Sequence, residues 1–270
     1  MPVHNVRVPF TLAHSAAALP FRRLRLVPSA LVIGTFAPDF EYFLRVTHGG
    51  RFGHTLVGSI VFTLPVALVV LWIFHTFVKV PVAMLLPDAI QRRLAHHLYE
   101  FSFGGAARFL LIVGSVLLGI QTHLLWDSFT HAHTWLYNHW AFLRQPVLLP
   151  IVGQIPCYKI FQHGSTIVGI GILATWFMHW YRTSEPVTRP LAKSLSPTRK
   201  IAIVAVLTIL AFVGAIALAV AEFGIPTSHA LFKQFVGQAV VTVIALGWWL
   251  LVAYGLLSPG VKPSTEPRQL

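Results

Sequence analysis

The sequence predicts an all-α, multi-pass transmembrane helical bundle, and three observations carry that reading. Of its 270 residues only 10% are charged while 56% are hydrophobic, whereas soluble domains carry about 25% charged residues. Mean hydropathy is +0.71. The apolar stretches are continuous and reach the roughly twenty residues that cross a bilayer as a helix, where a membrane barrel would alternate in segments of about ten. A soluble enzyme, a disordered chain and a coiled coil are excluded at this level.

Five segments meet the length requirement: Thr55–Val78, Phe109–Trp126, Ser165–Tyr181, Ile201–Ala221 and Phe235–Leu257. Val27–Ala37 is equally apolar, but at about eleven residues, with Pro28 and Gly34 inside, it reads as an interfacial or re-entrant helix. Leu12–Leu19 follows an N-cap candidate at Thr11 and reads as a short amphipathic helix. Arg22, Arg23 and Arg25 then fall at the head-group level beside it, and no cleavable signal peptide is expected. The chain divides into a membrane-embedded front part (1–182), a basic linker (183–200), two plain apolar helices (201–258) and a tail (259–270).

An odd number of spans places residues 1–54, 127–164 and 222–234 at one end of the bundle, end A. Residues 79–108, 182–200 and the tail lie at end B. Net charge is +12 and the pI is about 10.6. On a membrane protein such basicity points to anionic lipid head groups rather than nucleic acid. Nine basic residues fall at end A (Arg7, Arg22, Arg23, Arg25, Arg45, Arg51, Arg144, Lys159, Lys233) and the other eleven of the twenty at end B, too even a split for the positive-inside rule to orient the chain. Cys157 is the sole cysteine, which removes any internal disulfide or thiolate zinc cage.

The fourteen histidines outnumber the eight acids. Within Thr122–His133, His123, Asp127 and His131 recur at every fourth position and so stack on one helix face. Two imidazoles and a carboxylate suit Zn²⁺ or another divalent ion. The plainer alternative is interfacial histidines at a helix C-terminus, where the dipole favours a positive ring; against it, an acid at the edge of a span is costly and marks function. Asp39 and Glu41, in Ala37-Pro38-Asp39-Phe40-Glu41, read locally as a turn that caps the next helix. His14, His54 and His163 each read locally as interfacial or helix-start residues. Topology links them, because His14, Asp39, His54, His123, Asp127, His131 and His163 all fall at end A, and helix ends converging on one leaflet are how bundles build metal sites. His-Glu-x-x-His, Walker A and G-x-S-x-G patterns do not occur.

Together, Pro9-Phe10-Thr11-Leu12-Ala13-His14, Ala37-Pro38-Asp39-Phe40-Glu41, His54-Thr55, His123-Leu124-Leu125-Trp126-Asp127-Ser128-Phe129-Thr130-His131 and Gln162-His163-Gly164-Ser165 resemble the bacterial membrane family called domain of unknown function 4184. The likeness covers roughly residues 8–182, the last two helices matching only in character. The same pattern is similar to inner-membrane proteins described as LexA-regulated, metal-dependent hydrolases, which are compared with zinc-dependent phospholipase C and P1-type nucleases. The resemblance implies a metal-dependent phosphoester hydrolase of the cytoplasmic membrane. Glu41 stands where the hydrolase-like relatives often carry Asp.

The expectation is therefore a divalent-metal hydrolase, zinc first, of a lipid or lipid-linked phosphoester. His14, Asp39, His54, His123, Asp127 and His163 are the expected ligands, Glu41 and His131 the acid–base groups, and Arg45 and Arg51 the phosphate-binding groups. Three rival readings use the same histidines: haem held between neighbouring helices, a metal or proton transporter, and a structural membrane protein with interfacial imidazoles.

Overall fold

A computed structural model describes residues 11–47, 52–99, 101–150, 153–188 and 195–258. The first described element is a 3-10 helix, Thr11–Arg23, followed by α1 (Pro28–Phe36), a 3-10 turn (Ala37–Asp39) and α2 (Phe40–Arg45). After a further turn, Phe52–His54, come α3 (Leu56–Leu85), α4 (Asp88–Leu94) and α5 (Ala106–Thr130). The end-A loop holds α6 (Trp135–His139) and a hairpin of β1 (Pro146–Leu149) and β2 (Gly153–Pro156), paired antiparallel with Pro146 opposite Pro156. Three long helices close the chain: α7 (Cys157–Thr183), α8 (Pro197–Phe223) and α9 (His229–Leu257).

Helices α3, α5, α7, α8 and α9 are long and apolar enough to cross a membrane, and each matches one of the predicted spans, with Thr55 standing as the cap of α3. Their starts follow local chemistry. Thr55 caps α3 by accepting from the Gly58 N–H at 2.9 Å. Ser196 and Ser228 cap α8 and α9 in the same way, and Pro28 opens α1 where no backbone donor is needed. Two π turns interrupt α3, Ser59–Thr63 and Phe74–Val78. Each lies just before a proline, Pro65 or Pro81, whose missing N–H breaks the regular ladder.

The short apolar helix α1 is neither a flat interfacial helix nor a sixth full span. It is a leg of a re-entrant hairpin, with Ala30, Leu31, Ile33, Gly34 and Thr35 buried. The 3-10 helix runs along α7, where Ala13 touches Gly169, and α1 returns along α5. Two hydrogen bonds fix that register. The Val27 N–H donates to Ser115 Oγ at 3.0 Å, and His123 Nδ1 lies 2.8 Å from Thr35 O. Both pairs are 88 positions apart, so α1 and α5 run parallel with constant offset. The backbones nearly touch: a Cβ on Gly34 would lie 2.3 Å from Val116 O, and one on Gly119 2.3 Å from Leu31 O.

The bend of the hairpin reaches end B. Ser29 Oγ lies 2.9 Å from His75 Nε2 near the far end of α3, and Val27 shares a core with Phe101 and Phe103 of the end-B loop. Arg22 lines a cavity with Trp176 and His179, close to the end-B terminus of α7. The arginines expected at the head-group level of end A thus sit at the opposite end of the bundle, because the preceding helix runs inward along α7 instead of lying on the surface. Helices α8 and α9 pack on each other, and in the half of α9 nearer end A Gln238 Nε2 donates to Val46 O at 2.6 Å. The described ends of the basic linker are tied down: the Val187 N–H donates to Arg92 O at 3.1 Å and Lys200 pairs with Asp88.

The Gly34–Gly119 contact gives a direct test. Gly119→Leu forces the α1 and α5 backbones apart and costs at least the roughly 1–3 kcal/mol typical of overpacking. Folded yield and thermal midpoint in detergent fall accordingly. Gly114→Leu, on the same helix with nothing within 4 Å of its added Cβ, leaves both unchanged.

Candidate metal centre

Four elements deliver polar side chains to one point at end A. The 3-10 helix brings His14, the turn after α1 brings Asp39, and the turn before α3 brings His54. Helix α5 brings His123 and Asp127 one turn apart, with His131 at its C-cap. His123, Asp39 and Asp127 are buried, at 1%, 4% and 8% exposure. For a carboxylate, burial of this kind costs several kcal/mol unless it is compensated.

The compensation is mutual. Asp39 Oδ1 lies 3.5 Å from His54 Nε2 and 3.8 Å from His123 Nε2. Asp127 Oδ2 lies 3.6 Å and 3.4 Å from the same two nitrogens. The other oxygen, Oδ1, faces His14 Nε2 at 3.5 Å and His131 Nδ1 at 3.3 Å, so the Asp127 carboxylate divides the cluster into two halves. The His14 and His123 rings stack with centroids 4.2 Å apart. Burial would raise the Asp39 carboxyl, but His123 and His54 outweigh it and hold the group below the usual carboxylate range.

These separations are informative. Charge-assisted hydrogen bonds measure about 2.7–2.9 Å, and these contacts are longer. Ligand atoms around a tetrahedral ion with bonds of about 2.0–2.1 Å stand roughly 3.3 Å apart, close to the spacing seen. The tautomer of His123 follows from its other nitrogen: Thr35 O can only accept, so Nδ1 carries the hydrogen and donates to it. Nε2 is then the ring nitrogen that faces the two carboxylates. His123 Nε2 and Asp127 Oδ1 are buried and form no hydrogen bond, each a cost of about 1–3 kcal/mol. Two overlapping sets, His14–His123–Asp127 and Asp39–His54–His123, bring their ligand atoms within 4.8 Å of one another. A donor set of imidazole nitrogens and carboxylate oxygens without sulfur fits Zn²⁺ and other borderline divalent ions.

The remaining expected residues are placed as follows. Glu41 is buried at 4% exposure but stands outside both sets. Its Oε1 accepts from Arg45 Nη1 at 3.0 Å and its Oε2 from the Gly53 N–H at 2.9 Å. That arrangement makes Glu41 a brace for the Phe52–His54 turn, and hence a positioning residue for His54. The Arg45 side chain is 61% exposed and engaged with Glu41. Arg51 lies outside the described residues. His163 is exposed and lines the neighbouring cavity without joining either set. Its neighbour Gln162 meets the cluster instead, with Nε2 3.3 Å from His131 Nε2. Neither Gln162 nor the Thr35 carbonyl was marked by the sequence: the one was hidden beside a more conspicuous histidine, and the other is a backbone atom.

Beside the cluster lies a cavity of about 720 Å³, walled by His14, Asp127 and His131 on one side and by Phe161, Val168 and Ile172 of α7 on the other. Only 6% of the membrane-crossing stretch of α7 is buried within the protein, so most of the helix that bounds this cavity faces outward from the bundle.

The role of Glu41 can be measured. Glu41→Ala leaves the Gly53 N–H without its buried charged acceptor, a loss of about 1.5–3 kcal/mol, read as a lower thermal midpoint in detergent. Arg45→Ala removes an exposed partner and costs under about 1 kcal/mol.

No curated protein and no solved structure matches the chain. One family profile does, over residues 8–256, running past the front part that carries the motifs and through both C-terminal helices. The chain belongs to the family described as Domain of unknown function (DUF4184).

Proposed function

We propose that the protein is a membrane-embedded, divalent-metal-dependent hydrolase of a lipid or lipid-linked phosphoester, resident in the cytoplasmic membrane. The observation that carries the reading is His123, whose buried Nε2 faces Asp39 and Asp127 at 3.8 Å and 3.4 Å while its Nδ1 is committed to Thr35 O. A divalent cation between these atoms would account for their spacing, which is longer than direct hydrogen bonds. Asp39, His54, His123 and Asp127 would hold the ion, and the Thr35 carbonyl would orient His123 from behind, as outer partners of metal-bound histidines do. Such an ion supplies Lewis acidity toward a phosphoryl oxygen and lowers the pKa of water to about 7.

The protein's own groups complete the chemistry. His131, set between Asp127 and Gln162, moves a proton to or from the reacting oxygen, and His14 flanks it on the same carboxylate oxygen. Glu41 positions His54. Arg51 remains the candidate for holding the phosphate. A lipid substrate is favoured by the apolar α7 wall of the cavity, which borders the bilayer and gives lateral access to the polar cluster. Haem fits poorly, because His14 and His123 stack face to face instead of flanking an iron from opposite sides.

The test uses full-length protein in detergent. Mass spectrometry finds about one or more equivalents of zinc or another divalent metal per chain, and release of phosphate or of the phosphorylated head group from lipid phosphoesters depends on it. His123→Ala together with Asp127→Ala abolishes both. His131→Gln keeps the metal and lowers kcat by roughly 10²–10⁴. Metal retained by the double variant, or wild-type protein without stoichiometric metal, overturns the assignment.

A further inference from the structure

We infer that the N-terminal hairpin carries Arg22, Arg23 and Arg25 through the bundle to the anionic head groups of the cytoplasmic leaflet, which places end A and the His/Asp cluster at the exoplasmic leaflet. The inference does not depend on the hydrolase reading. It starts from depth. Ser29, just past the bend, meets His75, which lies nineteen positions after Leu56 in α3. At 1.5 Å per residue this is about 28 Å from the end-A start of that helix, close to the roughly 30 Å thickness of the hydrocarbon layer. Val27 shares a core with Phe101 and Phe103 of the end-B loop, and Arg22 lines a cavity with Trp176 and His179, which places the bend toward the same end. Arg22, Arg23, Leu24 and Arg25 are all exposed there, with three guanidiniums and an apolar side chain at one membrane surface. That composition suits insertion among anionic phosphates, because Arg binds them in forked geometry while its stem and Leu24 stay in the acyl region.

The charge balance then becomes decisive. Moving these three from end A to end B changes nine against eleven into six against fourteen of the twenty basic residues. Within the described residues alone, Arg45, Arg144, Lys159 and Lys233 stand at end A against ten at end B. The positive-inside rule places the richer end in the cytoplasm. Sequence alone could not orient the chain because the three arginines follow His14 closely in sequence, while the 3-10 helix carries them about 16–22 Å further along the bundle. A substrate reaching the cluster then has to stand in the exoplasmic leaflet, so a lipid made on the cytoplasmic side must be translocated first.

Single cysteines in a Cys157→Ser background test this in bacterial membrane vesicles with a membrane-impermeant maleimide. Leu148→Cys, on the end-A hairpin, is labelled in right-side-out vesicles. Arg23→Cys is labelled only in inverted ones. Reversed labelling, Arg23→Cys reacting from the same face as Leu148→Cys, or Arg23→Cys unreactive from both faces overturns the inference. Full-chain fusions check it without altering the fold: a fluorescent protein after Leu270 is expected to mature in the cytoplasm, and an alkaline phosphatase there to stay inactive. An active phosphatase overturns the orientation. A metal-free protein with the predicted labelling would defeat the hydrolase reading and leave the orientation intact.

Discussion

Two carboxylates, Asp39 and Asp127, are held away from water at the edge of a membrane bundle, and much of the front half of the structure serves to make that tolerable. An ionised carboxylate in such surroundings needs opposite charge close by. Here His54 and His123 serve both acids, while His14 and His131 flank Asp127. The arrangement depends on α1 and α5 approaching at Gly34 and Gly119, because that contact aligns Thr35 O with His123 and sets Asp39 just beyond it. Glu41, bonded to the Gly53 N–H, fixes the turn that presents His54. Three local devices, a glycine contact, a carbonyl acceptor and a buried glutamate, thus converge on one cluster.

What was legible in the sequence follows from how far apart the determinants lie. The five spans were readable because each is set by apolar length within one segment. His123, Asp127 and His131 were readable because a four-residue repeat on a helix is local. The hairpin was not, since its depth is fixed by pairings 88 positions apart and by a close contact of small residues that leaves no periodic mark. Arg22, Arg23 and Arg25 carried a misleading local signal, as basic residues after a short amphipathic stretch ordinarily mark the nearer surface. Gln162 and His163 illustrate a finer limit. Neighbouring residues on a helix point about 100° apart, so one meets His131 while the other is exposed beside the cavity, and only the rotation of α7 in the bundle decides which.

The hairpin also explains how a chain with few polar residues in its spans can keep an ionic cluster intact. Its two legs pack between α5 and α7, so His123, Asp39 and Asp127 are buried in protein and the cavity lined by α7 lies beside them. Helices α8 and α9 contribute no ligand to the described cluster. The contact of Gln238 of α9 with Val46 O instead steadies the C-cap of α2.

The central claim is that nitrogen and oxygen atoms spaced at 3.3–3.8 Å form the shell of a cation site. X-ray absorption at the zinc edge of purified, zinc-loaded protein tests it most directly. The account predicts a shell of four to five nitrogen and oxygen atoms at about 2.0–2.1 Å, with imidazole scattering and no sulfur, lost when Asp127 and His123 are both replaced by alanine. A sulfur shell, or an unchanged spectrum in that double variant, would contradict it.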